Sequence, residues 1–141
     1  MHRKIILTYK NEEGNLEEES LWGEKTGKDQ YKIANIAFFA PNIAWEDIVQ
    51  VEEDNGNLYF DKLLQASGNS TLQIIFFTHD YGDILKELEK MGCQWEGLTN
   101  KTYISLNIPR EISYRPIKEY LEKLRHKNIL DYKEACLSHK N

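Results

Sequence analysis

The sequence predicts an α+β protein in which a mostly antiparallel, β-rich first half is followed by a strand-helix-strand-helix half, packed as one domain. The length of 141 residues suits a single hydrophobic core. A chain with 40% apolar and 11% aromatic residues has the composition of a folded protein. Strand patterns come first and helical patterns later, which is typical of α+β proteins. We therefore expect residues 1–141 to form a single domain.

Eight segments have the composition or alternation of β-strands. They are residues 3–10, 17–23, 30–34, 47–53, 58–66, 71–78, 93–98 and 101–108. Turn residues 11–15 join the strands at 3–10 and 17–23. Asn55-Gly56, a strong hairpin signal, lies in the turn between the strands at 47–53 and 58–66. Two hairpins are therefore predicted. The unbroken apolar run at 35–41 predicts a buried crossing between them.

Helical periodicity appears in the second half of the chain. Helices are predicted at residues 84–91 and 119–129, with a short tail helix at 132–137. Asp80 is the expected N-cap of the first helix and Gly92 its stop. Pro116 precedes the second helix, and proline is common where helices begin.

Composition and charge disfavour several classes of protein. No apolar run reaches the roughly 18 residues of a membrane span, and the apolar start is too short for a signal peptide. Cys93 and Cys136 are widely spaced, which favours free thiols in a reducing compartment such as the cytoplasm, with a single structural disulfide as the alternative. The net charge is −5, and residues 1–109 hold 18 acidic and 10 basic residues. This field disfavours nucleic acids and anionic membranes and favours a basic protein partner.

Motifs for catalysis or cofactor binding are missing from the sequence. There is no G-x-G-x-x-G, P-loop, H-E-x-x-H or G-x-S-x-G pattern, and no paired zinc ligands. Cys93 follows a predicted helix end and enters an apolar strand, so we expect a buried thiol and not a nucleophile. We therefore predict no cofactor and no metal, and favour binding over catalysis.

The first predicted hairpin carries five carboxylates within eight residues. Glu17 and Glu19 are two apart on a strand and should share one face, where a basic partner could bind. The structural alternative is a solvated edge strand that its charge protects from self-association. Trp45 is the candidate aromatic anchor, since Trp is enriched in binding hot spots. The candidate partner-binding residues are Glu12, Glu13, Glu17, Glu18, Glu19 and Trp45.

A small-molecule site or a small hydrolase is the alternative function. The loop at 67–71 is rich in glycine and hydroxyl groups and could bind an anion, although it lacks a P-loop lysine and precedes a strand, which favours a plain turn. The candidate polar residues of a pocket between the first-half sheet and the later helices are Asn35, Asp47, Ser67, Ser70 and His79. Convergence of three of them in one cavity would favour this alternative, and scatter over separate turns would argue against it.

Six sequence blocks carry a resemblance to a known family. They are residues 20–24 (SLWGE), 31–40 (YKIANIAFFA), 47–49 (DIV), 67–71 (SGNST), 88–93 (LEKMGC) and 107–109 (NIP). In this order they resemble an uncharacterised bacterial family, domain of unknown function 4265. That family usually has proline at the position of Ala37 and arginine at that of Gln73, and the second difference weakens the case for an anion site. The resemblance implies a single bacterial domain and no mechanism.

Small size, acidity, α+β content and the missing catalytic motifs are also typical of immunity proteins, which neutralise a toxin by covering its active site. Nuclease toxins are often basic, and the opposite charge of an acidic inhibitor raises the association rate and orients the two proteins as they meet. The leading hypothesis is therefore a non-enzymatic, immunity or antitoxin-like inhibitor of a basic toxin. Nothing in the sequence predicts the oligomeric state.

Overall fold

The computed structural model describes residues 2–98 and 102–139, which form nine strands and two helices. The strands are β1 (His2–Lys10), β2 (Leu16–Gly27), β3 (Gln30–Ile33), β4 (Ile48–Asp54), β5 (Asn57–Gln65), β6 (Ser70–Phe76), β7 (Gln94–Gly97), β8 (Tyr103–Ile108) and β9 (Leu130–Cys136). The helices are α1 (Gly82–Lys90) and α2 (Arg115–His126). The α+β class and the β-rich first half are confirmed. Residue 101 of the eighth predicted strand lies outside the described residues.

The first five strands close into a barrel. Neighbouring strands pair antiparallel, and β1 closes the barrel by pairing parallel with β5, where Ile5 lies opposite Leu58. Both predicted hairpins are present, and Asn55 and Gly56 have the positive φ values that a tight hairpin turn needs. Alternate residues point inwards and form a buried apolar cluster, in which Ile5 and Leu21 are fully buried.

The second part of the chain has the order β6-α1-β7-β8-α2-β9. Its strands form an antiparallel sheet in the order β7-β8-β6-β9, the βαββαβ arrangement of ferredoxin-like folds. Leu72 and Ile74 of β6 share a second buried apolar cluster with Leu88 of α1 and Leu121 of α2. The described residues thus contain two apolar clusters where the chain length predicts one core, because the barrel encloses its own interior.

The helix boundaries differ from those predicted. Tyr81 occupies the N-cap position of α1, so the predicted cap at Asp80 is wrong, because that residue lies one position too early. Gly92 does end α1, with a φ of +100° that favours glycine. α2 begins earlier than predicted because Pro116 falls within its first turn. Neither helix is long and apolar enough to cross a membrane, within the residues that the structure describes.

The predicted tail helix at 132–137 is wrong, because most of that segment belongs to β9. This strand pairs antiparallel with β6, and Tyr132 lies opposite Ile74. The helix propensity of Glu134 and Ala135 is a weak preference, and hydrogen bonds along the otherwise open edge of β6 override it. β9 therefore completes the second sheet.

Residues 34–47, which we call the bridging segment, link β3 to β4 and lie between the barrel and the second sheet. Of the predicted buried crossing at 35–41, Ile36, Ala37 and Ala40 are at most 3% exposed. Phe39 is 44% exposed and Pro41 is also exposed, so only part of the crossing is buried. The Ile36 N–H donates to Glu96 Oε2 of β7 at 2.8 Å, and the Thr71 hydroxyl of β6 donates to the Ile43 carbonyl at 3.1 Å. Hydrogen bonds to the bridging segment therefore connect the barrel strands to the second sheet.

Candidate binding cleft

The β1–β2 hairpin extends beyond the barrel. Pairing of β2 with β3 begins only at Gly23, and pairing of β1 with β5 is confined to Ile5 and Ile6. Among the residues that the structure describes, the outer part of the hairpin therefore pairs only with itself. In that outer part, Tyr9 lies directly opposite Glu17. Both residues line an open cleft between the hairpin and the second sheet.

Glu19 lies two residues from Glu17 and has a different environment. Its carboxylate accepts the backbone N–H groups of Phe38, Phe39 and Ala40 at 2.7, 3.0 and 2.8 Å. Three successive N–H groups of the bridging segment thus surround one carboxylate, an arrangement known to stabilise a negative charge. Glu19 therefore anchors the bridging segment to β2.

The β8 side of the cleft is aromatic. The Tyr103 hydroxyl donates to the Phe38 carbonyl, and the Tyr103 ring stacks on Phe39 with 5.4 Å between centroids. Burial, and then the negative charge of Glu19, raise the pKa of Tyr103 above its ordinary value. The hydroxyl therefore stays protonated, and donates its hydrogen bond, throughout the physiological pH range.

The floor of the cleft contains a buried amide. Gln73, on β6 opposite Ser105 of β8, is 5% exposed and lines the cleft. Its Nε2 and the Oδ1 of Asn107 on β8 are buried and have no hydrogen-bond partner among the residues that the structure describes. Most buried polar atoms in proteins are hydrogen-bonded, so this nitrogen requires an explanation.

The cleft has a volume of about 670 Å³, which falls in the usual range for ligand sites. Its lining residues are Tyr9, Lys10, Asn11, Glu12, Glu17, Glu18, Phe39, Pro41, Gln73, Ile75, Tyr103, Asp131, Tyr132 and Lys133. Four of them are acidic and two are lysines, so the lining is negative. Lys133 Nζ of β9 lies 3.1 Å from Glu12 Oε1 at the hairpin tip. Phe39 and Ile75 add apolar surface, at 44% and 43% exposure.

The candidate partner-binding residues divide into three places. Glu12, Glu17 and Glu18 line the cleft, and Glu13 is exposed in the adjacent turn. The Glu19 carboxylate is occupied by the bridging segment, as described above. Trp45 is half-buried, does not line the cleft, and has its carbonyl bonded to Asn69 Nδ2 at 2.9 Å.

The candidate polar pocket residues are dispersed over the described structure. Asp47 is 2% exposed and accepts the Ala44 and Ser67 N–H groups at 2.9 and 2.8 Å. Asn35 Oδ1 accepts the N–H of Trp22 at 2.8 Å. His79 is exposed in the turn before α1. No three of Asn35, Asp47, Ser67, Ser70 and His79 line one described cavity.

Ser70 and His139 form a pair that resembles a catalytic dyad. The Ser70 Oγ lies 2.6 Å from His139 Nδ1, and His139 Nε2 lies 2.9 Å from the Pro109 carbonyl. Since a carbonyl only accepts, Nε2 carries a proton, and in the neutral imidazole Nδ1 accepts from the serine hydroxyl. Ser70 also accepts the Ser138 N–H at 2.9 Å and is fully buried. The pair therefore fastens the end of the described chain to β6.

The remaining reactive groups are shielded as well. Cys93 is 5% exposed, as predicted, and burial raises the pKa of its thiol to about 12. Burial, and then the charge of Asp47, also raise the pKa of Cys136. Within residues 2–98 and 102–139, no three His, Cys, Asp or Glu side chains are placed to hold a metal ion.

Most residues of the cleft could not be recognised from the sequence. In the sequence, the aromatic residues of the cleft look like core residues, because only the position of the hairpin leaves them partly exposed. They are Tyr9, Phe39, Tyr103 and Tyr132. Gln73 offered a signal, because it is a lone amide within the apolar run of residues 72–77. A polar residue in a buried strand is unfavourable unless something pairs with it.

Comparisons with known proteins agree with the fold. The crystal structure of a hypothetical protein from Neisseria gonorrhoeae is similar, with a TM-score of 0.90 and 34% sequence identity over 99% of this chain and 98% of that chain. No curated protein matches the sequence. A family described as "Domain of unknown function (DUF4265)" matches residues 19–132, which is most of the chain. The chain therefore belongs to the DUF4265 family.

Proposed function

We propose that this protein is a non-enzymatic protein-binding module that takes a basic segment of a partner into the cleft beneath the β1–β2 hairpin. The observation that carries the proposal is that Glu12, Glu17 and Glu18 stand over an open cleft with exposed aromatic surface. In its most specific form, the protein is an immunity or antitoxin-like inhibitor of a basic toxin, nuclease toxins included, and acts in the cytoplasm.

Charge supports a basic partner. The hairpin carboxylates project from the fold, and the side chain of Glu12 is 85% exposed. Residues 1–109 carry most of the negative charge, so the field around the hairpin attracts cations and repels phosphates. Such a field increases the rate of association and orients the partner.

The cleft also has the anatomy of a protein interface. Phe39 and Ile75 offer an apolar centre, with the acidic residues of the hairpin at the rim. Protein interfaces commonly have an apolar, aromatic core and a charged rim. A basic and partly apolar segment would therefore complement this surface.

Two observations favour binding over catalysis. The Ser70 hydroxyl is fully buried and already bonded to His139, and the Cys93 thiol is buried with a raised pKa. Burial keeps both groups away from a substrate in this structure. The raised pKa also keeps Cys93 in the thiol form, whereas the thiolate is the reactive one.

The test is charge reversal in the hairpin, using the purified product of a toxin-like gene adjacent to this one as the partner. We expect Glu12→Lys, Glu17→Lys and Glu18→Lys, combined, to weaken association at least tenfold at low salt. The wild-type affinity should fall as salt is raised, since screening weakens attraction between exposed charges. Association would be measured by titration calorimetry over a series of salt concentrations.

The matched control reverses charge at the opposite hairpin of the barrel, with Glu52→Lys, Asp54→Lys and Asp61→Lys. These residues are exposed, do not line the cleft, and change the net charge by the same amount. Equal weakening by both triple variants, or binding that neither salt nor the first variant affects, would contradict the proposed site.

A further inference from the structure

Gln73 occupies a fixed position in the cleft and lacks a hydrogen bond. Its side chain is almost fully buried, and its Nε2 has no acceptor within the described part of the chain. An apolar side chain of similar volume would avoid this unfavourable burial. Functional sites are where natural proteins retain such unfavourable local choices. A ligand that supplies the acceptor would account for the amide.

We infer that Gln73 donates to a backbone carbonyl of an arginine-bearing segment of the basic partner, whose guanidinium lies between Glu17 and the rings of Tyr9 and Tyr103. The inference rests on the proposed function and specifies the chemistry of the ligand.

The surroundings of Glu17 favour arginine over lysine. Tyr9 lies opposite Glu17. Burial is the main cause that raises the pKa of Tyr9, and the negative charges of Glu17 and Glu19 raise it further. The electrostatic field of these carboxylates therefore reaches the Tyr9 ring. A guanidinium is planar, stacks on aromatic rings and pairs with a carboxylate through two N–H groups. An ammonium group is compact and strongly hydrated, and does neither as well.

The position of Gln73 favours contact with the backbone of the segment. Gln73 lines the cleft together with Phe39 and with Ile75, which is two residues further along β6 and on the same face of the strand. Apolar side chains on either side of the arginine would pack on Phe39 and Ile75 while a carbonyl between them meets the amide. A short apolar-arginine-apolar peptide therefore contains the features that the cleft is expected to recognise.

The probe is the peptide acetyl-Leu-Arg-Leu-amide, titrated into isotope-labelled protein and followed by NMR. We expect weak, saturable binding that shifts the side-chain amide resonances of Gln73. The same peptide with citrulline in place of arginine has nearly the same shape without the charge, and should bind at least about tenfold more weakly. The lysine peptide should fall between them.

The variant is Gln73→Met, which preserves side-chain volume. We expect it to weaken peptide binding about tenfold, the usual contribution of one hydrogen bond to a buried group, and to raise the unfolding temperature of the free protein. A merely structural glutamine would not produce both effects. Gln50→Met, on barrel strand β4 and outside the described cavities, is the matched control and should not affect binding.

Four results would overturn the inference. A lower unfolding temperature for Gln73→Met would mean that the amide is bonded within the fold. Equal binding of the arginine and citrulline peptides would remove the arginine preference. If the basic partner binds in the hairpin-dependent way proposed above but Gln73→Met binds it equally well, this inference fails and the proposed function stands. If the wild-type protein binds neither the basic partner nor the arginine peptide, both the inference and the proposed function fail.

Discussion

Polar side chains around the bridging segment and in the cleft differ in how fully they are hydrogen-bonded. Around the bridging segment, Glu19 and Asp47 accept five backbone N–H groups between them. In the cleft, within residues 2–98 and 102–139, Glu17 accepts a hydrogen bond from Asn11 Nδ2 alone and Gln73 Nε2 has no partner. A polar group with all its bonds made holds the fold together, whereas one with bonds unmade can bind a ligand.

Removing Glu19 should have the largest effect on this contrast. Glu19→Ala leaves the N–H groups of Phe38, Phe39 and Ala40 without an acceptor, and we expect the free energy of unfolding to fall by about 3 kcal/mol. Urea denaturation would measure the change. Glu17→Ala on the same strand face is the control, and should change stability by less than about 0.5 kcal/mol. Similar losses for the two variants would show that Glu19 has no special structural role.

The division between Glu17 and Glu19 also shows how far the sequence could predict the site. Strand alternation correctly puts both on one face, and the hairpin follows from its turn residues. Which carboxylate meets the bridging segment depends on where the barrel ends along the hairpin, and β1–β5 pairing decides that. Barrel closure joins strands more than fifty residues apart, and no local pattern encodes it.

The second half of the fold illustrates the same limit. Apolar spacing predicted both helices, since each buries one face against the sheet. β9 was mistaken for a helix because its role, pairing with the free edge of β6, is a tertiary interaction. The cleft could not be predicted because its walls come from the β1–β2 hairpin, the bridging segment, β6, β8 and β9, which the fold alone brings together.

Asp47 offers a smaller and chemically sharper test of the bridging segment. Asp47→Asn keeps the shape but retains one acceptor oxygen for the N–H groups of Ala44 and Ser67, so one of them faces an amide NH₂. We expect a loss of about 2 kcal/mol in the free energy of unfolding. Asp61→Asn, exposed on β5, is the matched control and should be neutral. An unchanged stability for Asp47→Asn would mean that the charge and both bonds are dispensable.

Glu122 of α2 is hydrogen-bonded but partly exposed to solvent, so its substitution should change stability least. Its carboxylate accepts two hydrogen bonds from Arg125, at 2.8 and 3.1 Å, and one from the Tyr132 hydroxyl. These bonds, those of Arg125 foremost, lower the pKa of Glu122 from 4.5 to about 2. Because the pKa is lowered in the folded state, the contribution to stability is present above pH 4.5 and is lost as the pH falls towards 2.

Glu122→Gln should therefore reduce the stability that is lost on acidification over this range. The part of the loss that comes from other carboxylates should not change. Urea midpoints measured at several pH values between about 5 and 2.5 would reveal the difference. Glu119→Gln, one turn earlier on the same helix, is the control: its carboxylate lies 3.7 Å from Arg115, and both side chains are well exposed. If the two variants lose stability with acid in parallel, the bonds to Glu122 are too solvated to stabilise the fold.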